Sequence, residues 1–407
     1  MIVSRLKKPL YLAKWVAISL VIGACVGTAC AAFLIALDLV TAFRDSHLWI
    51  VAFLPAVGFL VAGAYAAFGG RADGGNNLLI ETIHEPAERV PRRMLPLIFL
   101  SSVACHLFGA SVGREGAGLQ IGGSIADRFA RPFRLAGAER SYLLIAGVAA
   151  GFGSIFGTPI AGAVFALEFY LFGKISHVAI FPAFVSSISA CYVAGLWGVA
   201  HARPTVPFVP EMGPMGLLCA AVAGIAFGLA ARAFCALIER TGAAFNRLVS
   251  SSPLRAAAGG LAIALFVFAT GSSRYIGLGT PLIGEAFAGT SLPWDFAAKT
   301  ATTVVSLASG LKGGEVTPLF VIGSTLGNAL SGVLPLPPAL LAAMGFVAVF
   351  AAASNTPLAS VILGFEVFGA GPSVYVAVAC VVAFIVSGHS TIYRAQRADL
   401  GSVAPYL

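Results

Sequence analysis

Apolar residues run along this chain in long blocks and do not alternate with polar ones. The blocks cover residues 15–43, 48–68, 94–110, 141–172, 178–200, 213–238, 256–270, 300–311, 338–353 and 374–388. A helix needs about 20 apolar residues to cross the hydrocarbon core of a bilayer. Several blocks reach that length, and the others are short or broken by Gly and Pro. Broken helices are tolerated at membrane depth only where protein or a cavity surrounds them. The pattern predicts an all-α, polytopic integral membrane protein. Composition agrees: 58% of the 407 residues are hydrophobic and 10% are charged, where soluble domains carry about 25% charged residues. The 47 glycines suit closely packed helices.

The start of the chain, MIVSRLKKPLYLAKW, is basic and leads directly into a long apolar block. It reads as a retained first helix with its basic flank in the cytoplasm. The arginines of YRAQRADLGSVAPYL place the other end on the same side, so both termini are expected in the cytoplasm of a bacterial inner membrane protein. The net charge of +8 sits mostly in short loops such as ERVPRR and RFARPFR, an orientation and lipid-surface signal that does not imply nucleic acid. The seven cysteines lie singly in apolar blocks with no CxxC pair, so neither a metal nor a disulfide framework is expected. No cofactor is called for. With no nucleophile–base pair or soluble output domain visible, an enzyme or sensor is disfavoured.

The chain also resembles itself at an offset near 200. GREGAGLQIGGS (113–124) and GGEVTPLFVIGS (313–324) share five of twelve positions, among them Glu115 and Glu315. Thr158, Pro159 and Glu168 recur as Thr356, Pro357 and Glu366 at offset 198. Gly23, Gly27 and Phe33 recur as Gly224, Gly228 and Phe234, and GNNLLIE (75–81) recurs as GTPLIGE (279–285). All four pairs keep their order, which predicts two diverged copies, about 12–205 and 212–405, in a single transmembrane domain spanning 1–407. HARPTVPFVPEMGP is the expected hinge. Repeats with interrupted helices at matching positions point to a transporter whose site lies between the halves near the midplane. The number of spans leaves open whether the copies are inverted.

Glycine clusters at 74–75, 113–118, 151–157 and 310–314 each precede an apolar run. Helices started inside the membrane leave free N–H groups and a positive dipole end aimed at a shared cavity, a setting for an anion. The alternative is that these glycines only allow helices to pack closely. Asn76 and Asn77 offer amide donors at one such start, and Asn is equally a helix cap. Gly113, Arg114 and Gly116 at the second start, and Val316 and Thr317 at the third, complete the candidate anion-binding set. Glu315 is a second polar group there.

Glu115 carries the most information. An ionisable side chain at membrane depth costs about 2.5–3.5 kcal/mol on insertion scales and persists where it pairs, protonates or functions. Arg114 is adjacent, but neighbours on a helix point about 100° apart, so direct pairing is expected to be poor. A carboxylate at an anion-binding helix start can occupy the anion's place while charged and leave once protonated. His106 is the one histidine expected near this point. Glu168 and Glu366 end equivalent apolar runs and are expected to cap or pair with loops more than to carry protons; Glu81 and Glu285 form a similar pair.

GREGAGLQIGG, GTPIAGAVFALE, GGEVTPLF and NTPLASVILGFE together resemble the CLC family of anion channels and proton-coupled exchangers, in its fluoride branch, over about residues 15–400. The resemblance implies a homodimer with one pore per subunit, each subunit built from two inverted halves of tilted and broken helices. It implies that Glu115 is the gating glutamate that exchanges protons and blocks the pore. Glu315 and Thr317 match polar residues of the fluoride branch. Asn76 stands where that branch has Asn or Met, and Tyr393 matches the tyrosine whose hydroxyl closes the inner side of the anion site. From position alone, Tyr393 beside Arg394 also fits an interfacial aromatic.

The sequence departs from the family's pattern at two places. Proton-coupled chloride members carry two adjacent acids where this chain reads Glu168-Phe169, which puts a chloride-type internal proton route in doubt. Ala117 stands where fluoride members often have Thr. No regulatory CBS-type domain is expected after Tyr393. The expected function is fluoride/proton antiport that exports fluoride across a lipid bilayer, with fluoride and protons as the partners. The alternative is a chloride/proton exchanger or passive anion channel of the same fold.

Overall fold

The computed structural model describes residues 2–172, 175–388 and 390–398; the end of the second expected copy lies outside the described residues. The first half comprises α1 (Ile2–Ser46), α2 (Leu54–Ala64), α3 (Gly75–His84), α4 (Met94–Leu107), α5 (Glu115–Phe129), α6 (Ala138–Phe156), α7 (Pro159–Phe169) and α8 (His177–Leu196). The second comprises α9 (Pro214–Leu248), α10 (Ser252–Thr270), α11 (Thr280–Ala288), α12 (Asp295–Ser309), α13 (Val316–Leu330), α14 (Pro338–Ser354), α15 (Pro357–Phe368) and α16 (Ser373–Ser387). Residues 199–213 link them without helix. Five segments are long and apolar enough to cross a membrane: Leu10–Ser46, Leu48–His84, His177–Leu196, Pro214–Leu248 and Ser252–Thr270.

The two series pack alike. α1 lies against α6 and α8 as α9 lies against α14 and α16, and α5 lies against α6 as α13 lies against α14. Across the molecule, α2 packs on its counterpart α10, and α7 on its counterpart α15. Finer details obey the same local two-fold. Where α5 crosses α6, a Cβ on Gly122 or Gly147 would strike the other's carbonyl oxygen, and the same holds for Gly323 and Gly345 where α13 crosses α14. Gly157 (φ 68) and Asn355 (φ 52) both take the left-handed turn that ends α6 and α14 ahead of Thr-Pro. Asn is among the few side chains that accept that conformation.

The halves enter from opposite faces. Lys14 near the start of α1 bonds Glu139 at the start of α6 (3.0 Å). The far end of α6 meets the linker, where Arg203 donates to the Gly157 carbonyl (3.2 Å), and that linker leads into α9. Thus α1 and α9 begin at opposite ends of α6.

Length explains why the interior helices were partly invisible to hydropathy. At about 1.5 Å per residue, the 15 residues of α5 and of α13 reach only about 22 Å, short of the ~30 Å core. They start inside the protein, almost wholly buried. The expected block 141–172 is two helices, divided at Thr158. Of the 151–157 glycines, Gly157 stands just before the start of α7, whereas Gly151 and Gly153 lie within α6, where a Cβ would meet the Gly118 backbone and Ser187 respectively. The packing explanation holds there.

Candidate functional site

The two halves touch at their glycine loops. Gly113 and Gly314 form an antiparallel bridge, Gly113 N–H donating to Gly314 O (2.5 Å) and Gly314 N–H to Gly113 O (2.7 Å). This corrects the expectation for Gly113: its N–H is spent on the bridge and is not a free donor. The bridge sets the starts of α5 and α13 beside each other, and glycine is required because a Cβ on Gly314 would fall 2.7 Å from Gly116 N.

Glu115, fully buried at the first position of α5, reaches across to the other half. Its Oε2 accepts the Thr317 N–H (2.9 Å) and the Arg114 N–H (3.1 Å), and its Oε1 accepts the Thr317 hydroxyl in a short contact. The first N–H groups of a helix have no intrahelical acceptor and carry its positive dipole end. A carboxylate is therefore seated where α13 offers a place to an anion. The side chains of Arg114 and Glu115 pair only loosely, as expected. Arg114 stands at the N-cap of α5, where its Nε lies 3.6 Å from Glu115 Oε1 and makes no hydrogen bond among the described residues. Gly116 and Val316 sit in the first turns of α5 and α13, where N–H groups lack intrahelical acceptors.

Glu315 and Asn76 approach the same point from the other side. The position a Cβ would take on Gly116 lies 3.1 Å from Asn76 Nδ2 and 3.6 Å from Glu315 Oε2. A cavity of about 320 Å³ is lined by Asn76, Asn77, Gln120, Glu315 and Tyr393 among others. A second, of about 600 Å³, is lined by Arg114, Glu115, Thr317, His201 and Arg203 with Phe156, Phe320 and Phe346. The two share no lining residue among those described.

Tyr393 is 1% exposed. Its ring meets that of Phe169 edge-on, with centroids 4.9 Å apart. Its hydroxyl is buried without a hydrogen-bond partner, and so is Asn76 Oδ1. The segment holding it is tied down on all sides: Ile392 N–H to Ala353 O (2.8 Å), Ala395 N–H to Asn77 Oδ1 (3.0 Å), and Gln396 Nε2 to Glu168 O (3.1 Å). Asn77 thus fastens the tyrosine segment through its oxygen, a task not foreseen for it.

Glu168 and Glu366 are reciprocal caps. Glu168 accepts the N–H groups of Leu358 (3.3 Å) and Ala359 (2.7 Å) at the start of α15. Glu366 accepts those of Ile160 (3.0 Å) and Ala161 (2.7 Å) at the start of α7. Glu81 and Glu285 diverge: Glu285 is ion-paired with Arg274, whereas Glu81 is exposed. His106 lines neither cavity; its Nδ1 is 2.7 Å from the Ser102 carbonyl one turn earlier in α4.

Sequence reasoning passed over Lys299. It is wholly buried in α12 and donates to Ser111 Oγ (3.0 Å), Tyr275 O (3.1 Å) and Gly277 O (2.8 Å), just behind the loop that leads to Gly113. The rule that singled out Glu115, a charge at membrane depth, applies to it equally. His201 and Arg203 were read only as hinge.

The fold and site define a class: a multi-span membrane protein of two inverted repeats whose broken helices converge on a buried acid. The chain belongs to the CLC, or voltage-gated chloride channel, family, whose model matches residues 57–388. It is 46% identical over 393 residues to a chloride/fluoride channel protein of Pseudomonas syringae pv. tomato, covering 95% of this chain and 87% of that one. It superposes on the crystal structure of a CLC-type fluoride/proton antiporter with a TM-score of 0.92 at 35% identity, over 95% of this chain and 98% of that one. A slow cyanobacterial Cl⁻/H⁺ antiporter shares the fold, with a TM-score of 0.80 at 20% identity, over 92% and 94% of the two chains.

Proposed function

We propose that the chain is a fluoride/proton antiporter that moves fluoride out of the cytoplasm as protons come in, and that it transports without catalysing covalent chemistry. One observation carries the reading: the Glu115 carboxylate occupies the Thr317 N–H and hydroxyl at the start of α13, donors that suit a small anion equally well. Charged, Glu115 excludes the anion from those donors; protonated, it loses its hold and the anion takes its place. That mutual exclusion couples the two fluxes. Fluoride is a small, strongly hydrated acceptor, and it needs donors to replace its water. Asn76 Nδ2 and the free Tyr393 hydroxyl would supply them on one side, and Thr317 with the Val316 and Gly116 N–H groups at the crossing. Glu315, facing the 320 Å³ cavity, would receive the proton next.

The 320 Å³ cavity is assigned to the cytoplasmic side. Its Asn77 binds the segment whose Arg397 pairs with Glu85 (2.5 Å), and Arg140 at the α6 start holds the Pro86 and Glu88 carbonyls. The same face carries the arginine-rich loops 88–93 and 128–134, as the positive-inside rule asks of a cytoplasmic surface. Both termini then lie in the cytoplasm of a bacterial inner membrane. The copies about 12–205 and 212–405 form one domain, and two subunits form a homodimer in the bilayer with a pore each.

The test is fluoride efflux from proteoliposomes with proton uptake recorded together. Fluoride should move uphill when a proton gradient drives it, and Glu115→Gln should abolish the coupling. Equal movement of chloride would remove the fluoride assignment, and a flux that never runs uphill would make the protein a channel.

A further inference from the structure

A proton delivered to the inner chamber must still reach the cytoplasm, and the position of a chloride-type internal acid is filled by Phe169, packed against Tyr393. The described lining of the chamber contains three carboxylates: Asp73, Glu239 and Glu315. Asp73 is held by Lys312 (2.7 Å), which also lies over the Tyr65 ring. Glu239 differs. It comes from the inner end of α9, one turn beyond Cys235, and it also lines an adjoining cavity of about 590 Å³ with Arg232, Ser390, Thr391 and Arg394. Among the described lining residues it is the one acid common to both spaces. Its side chain is 62% exposed, and among the described residues its ion pair is a loose one, Arg394 Nη2 to Oε1 at 3.6 Å.

We propose that Glu239 is the proton relay between the inner chamber and the cytoplasm, taking from another helix the role that Phe169 cannot perform. The inference rests on the antiport reading above. In the step, the Glu315 carboxyl gives up its O–H proton, water in the chamber passes it on, and the Glu239 carboxylate forms the new O–H bond. Glu239 then releases the proton to the cytoplasm and is again an anion, so no other reactant is needed. The charged and titratable groups facing this path are Arg232 and Cys235 on α9, Arg394 and Tyr393 on the terminal segment, Glu315 at α13, and the Asp73–Lys312 pair.

The full chain in proteoliposomes tests this with Glu239→Gln, Glu239→Asp and Arg394→Gln, each followed by fluoride and proton electrodes across a series of cytoplasmic-side pH values. Loss of a positioned proton-transfer group lowers rates by about 10²–10⁴-fold. Since bulk water partly substitutes at so open a site, proton uptake by Glu239→Gln should fall about tenfold. The fall should ease as the inner pH is lowered, and Glu239→Asp should restore most of the rate. Unchanged proton uptake in Glu239→Gln overturns the relay. So does equal loss of both fluxes with no rescue by Asp, which marks a structural role, or the same loss in Arg394→Gln, which marks the ion pair as what counts. If the unmutated chain moves no protons, the antiport reading fails first, and the relay with it.

Discussion

Replacing Thr317 by Val separates what the hydroxyl does from what the helix start does. Val keeps the β-branch in the first turn of α13 and leaves the backbone N–H to Glu115 Oε2 at 2.9 Å. Only the hydroxyl bond to Oε1 is lost. Oε1 then has Arg114 Nε at 3.6 Å as its remaining cationic neighbour, too far for a hydrogen bond. A hydrogen bond to a charged group contributes about 1.5–3 kcal/mol, and about 1.4 kcal/mol is a tenfold change in an equilibrium. The seated carboxylate should therefore be disfavoured roughly 10- to 150-fold against its displaced form. An anion in the same place loses the hydroxyl as well, so the change reads out in the coupling and not in the affinity for fluoride. In proteoliposomes fewer protons should move per fluoride, because the acid holds its post less often. Thr317→Ser, which keeps the hydroxyl, should stay near the unmutated protein. An unchanged number of protons per fluoride in Thr317→Val would mean that the hydroxyl does not hold the acid in place, and the competition argument would fail.

Two further substitutions probe the frame around the site. Glu366→Ala strips the Ile160 and Ala161 N–H groups of their acceptor and should cost about 0.5–2 kcal/mol, the usual effect of losing a helix cap. Glu168→Ala should cost a similar amount at α15, and thermal unfolding in detergent by tryptophan fluorescence would show both; no shift in either would mean that water replaces the caps. Lys299→Met leaves the Gly277 carbonyl without its buried donor, at about 1–3 kcal/mol for an unsatisfied group, while the Tyr275 carbonyl keeps the Ser111 hydroxyl (2.9 Å). It should lower the melting temperature and the yield of folded protein, and an unaffected melting curve would show that the lysine's bonds are dispensable.

Hydropathy, the offset-200 repeat and the glycine-flanked Glu115 were legible in the chain because each is a local or periodic property of it. Apolar length announces a span, and a carboxylate amid apolar residues announces its own cost wherever it lies. Helix pairing across the molecule was not legible. That Gly113 spends its N–H on Gly314, that Glu115 rests on Thr317 of the opposite half, and that Glu168 and Glu366 cap each other's helices all join residues about 190–206 positions apart. Hydrophobic patterning says that a face is buried but does not say against what. Lys299 and Glu239 looked ordinary, and Asn77 looked like an anion donor, for the same reason. Their roles come from which carbonyls, loops and cavities the fold places around them, and those neighbours are set by three-dimensional packing that no spacing along the chain encodes.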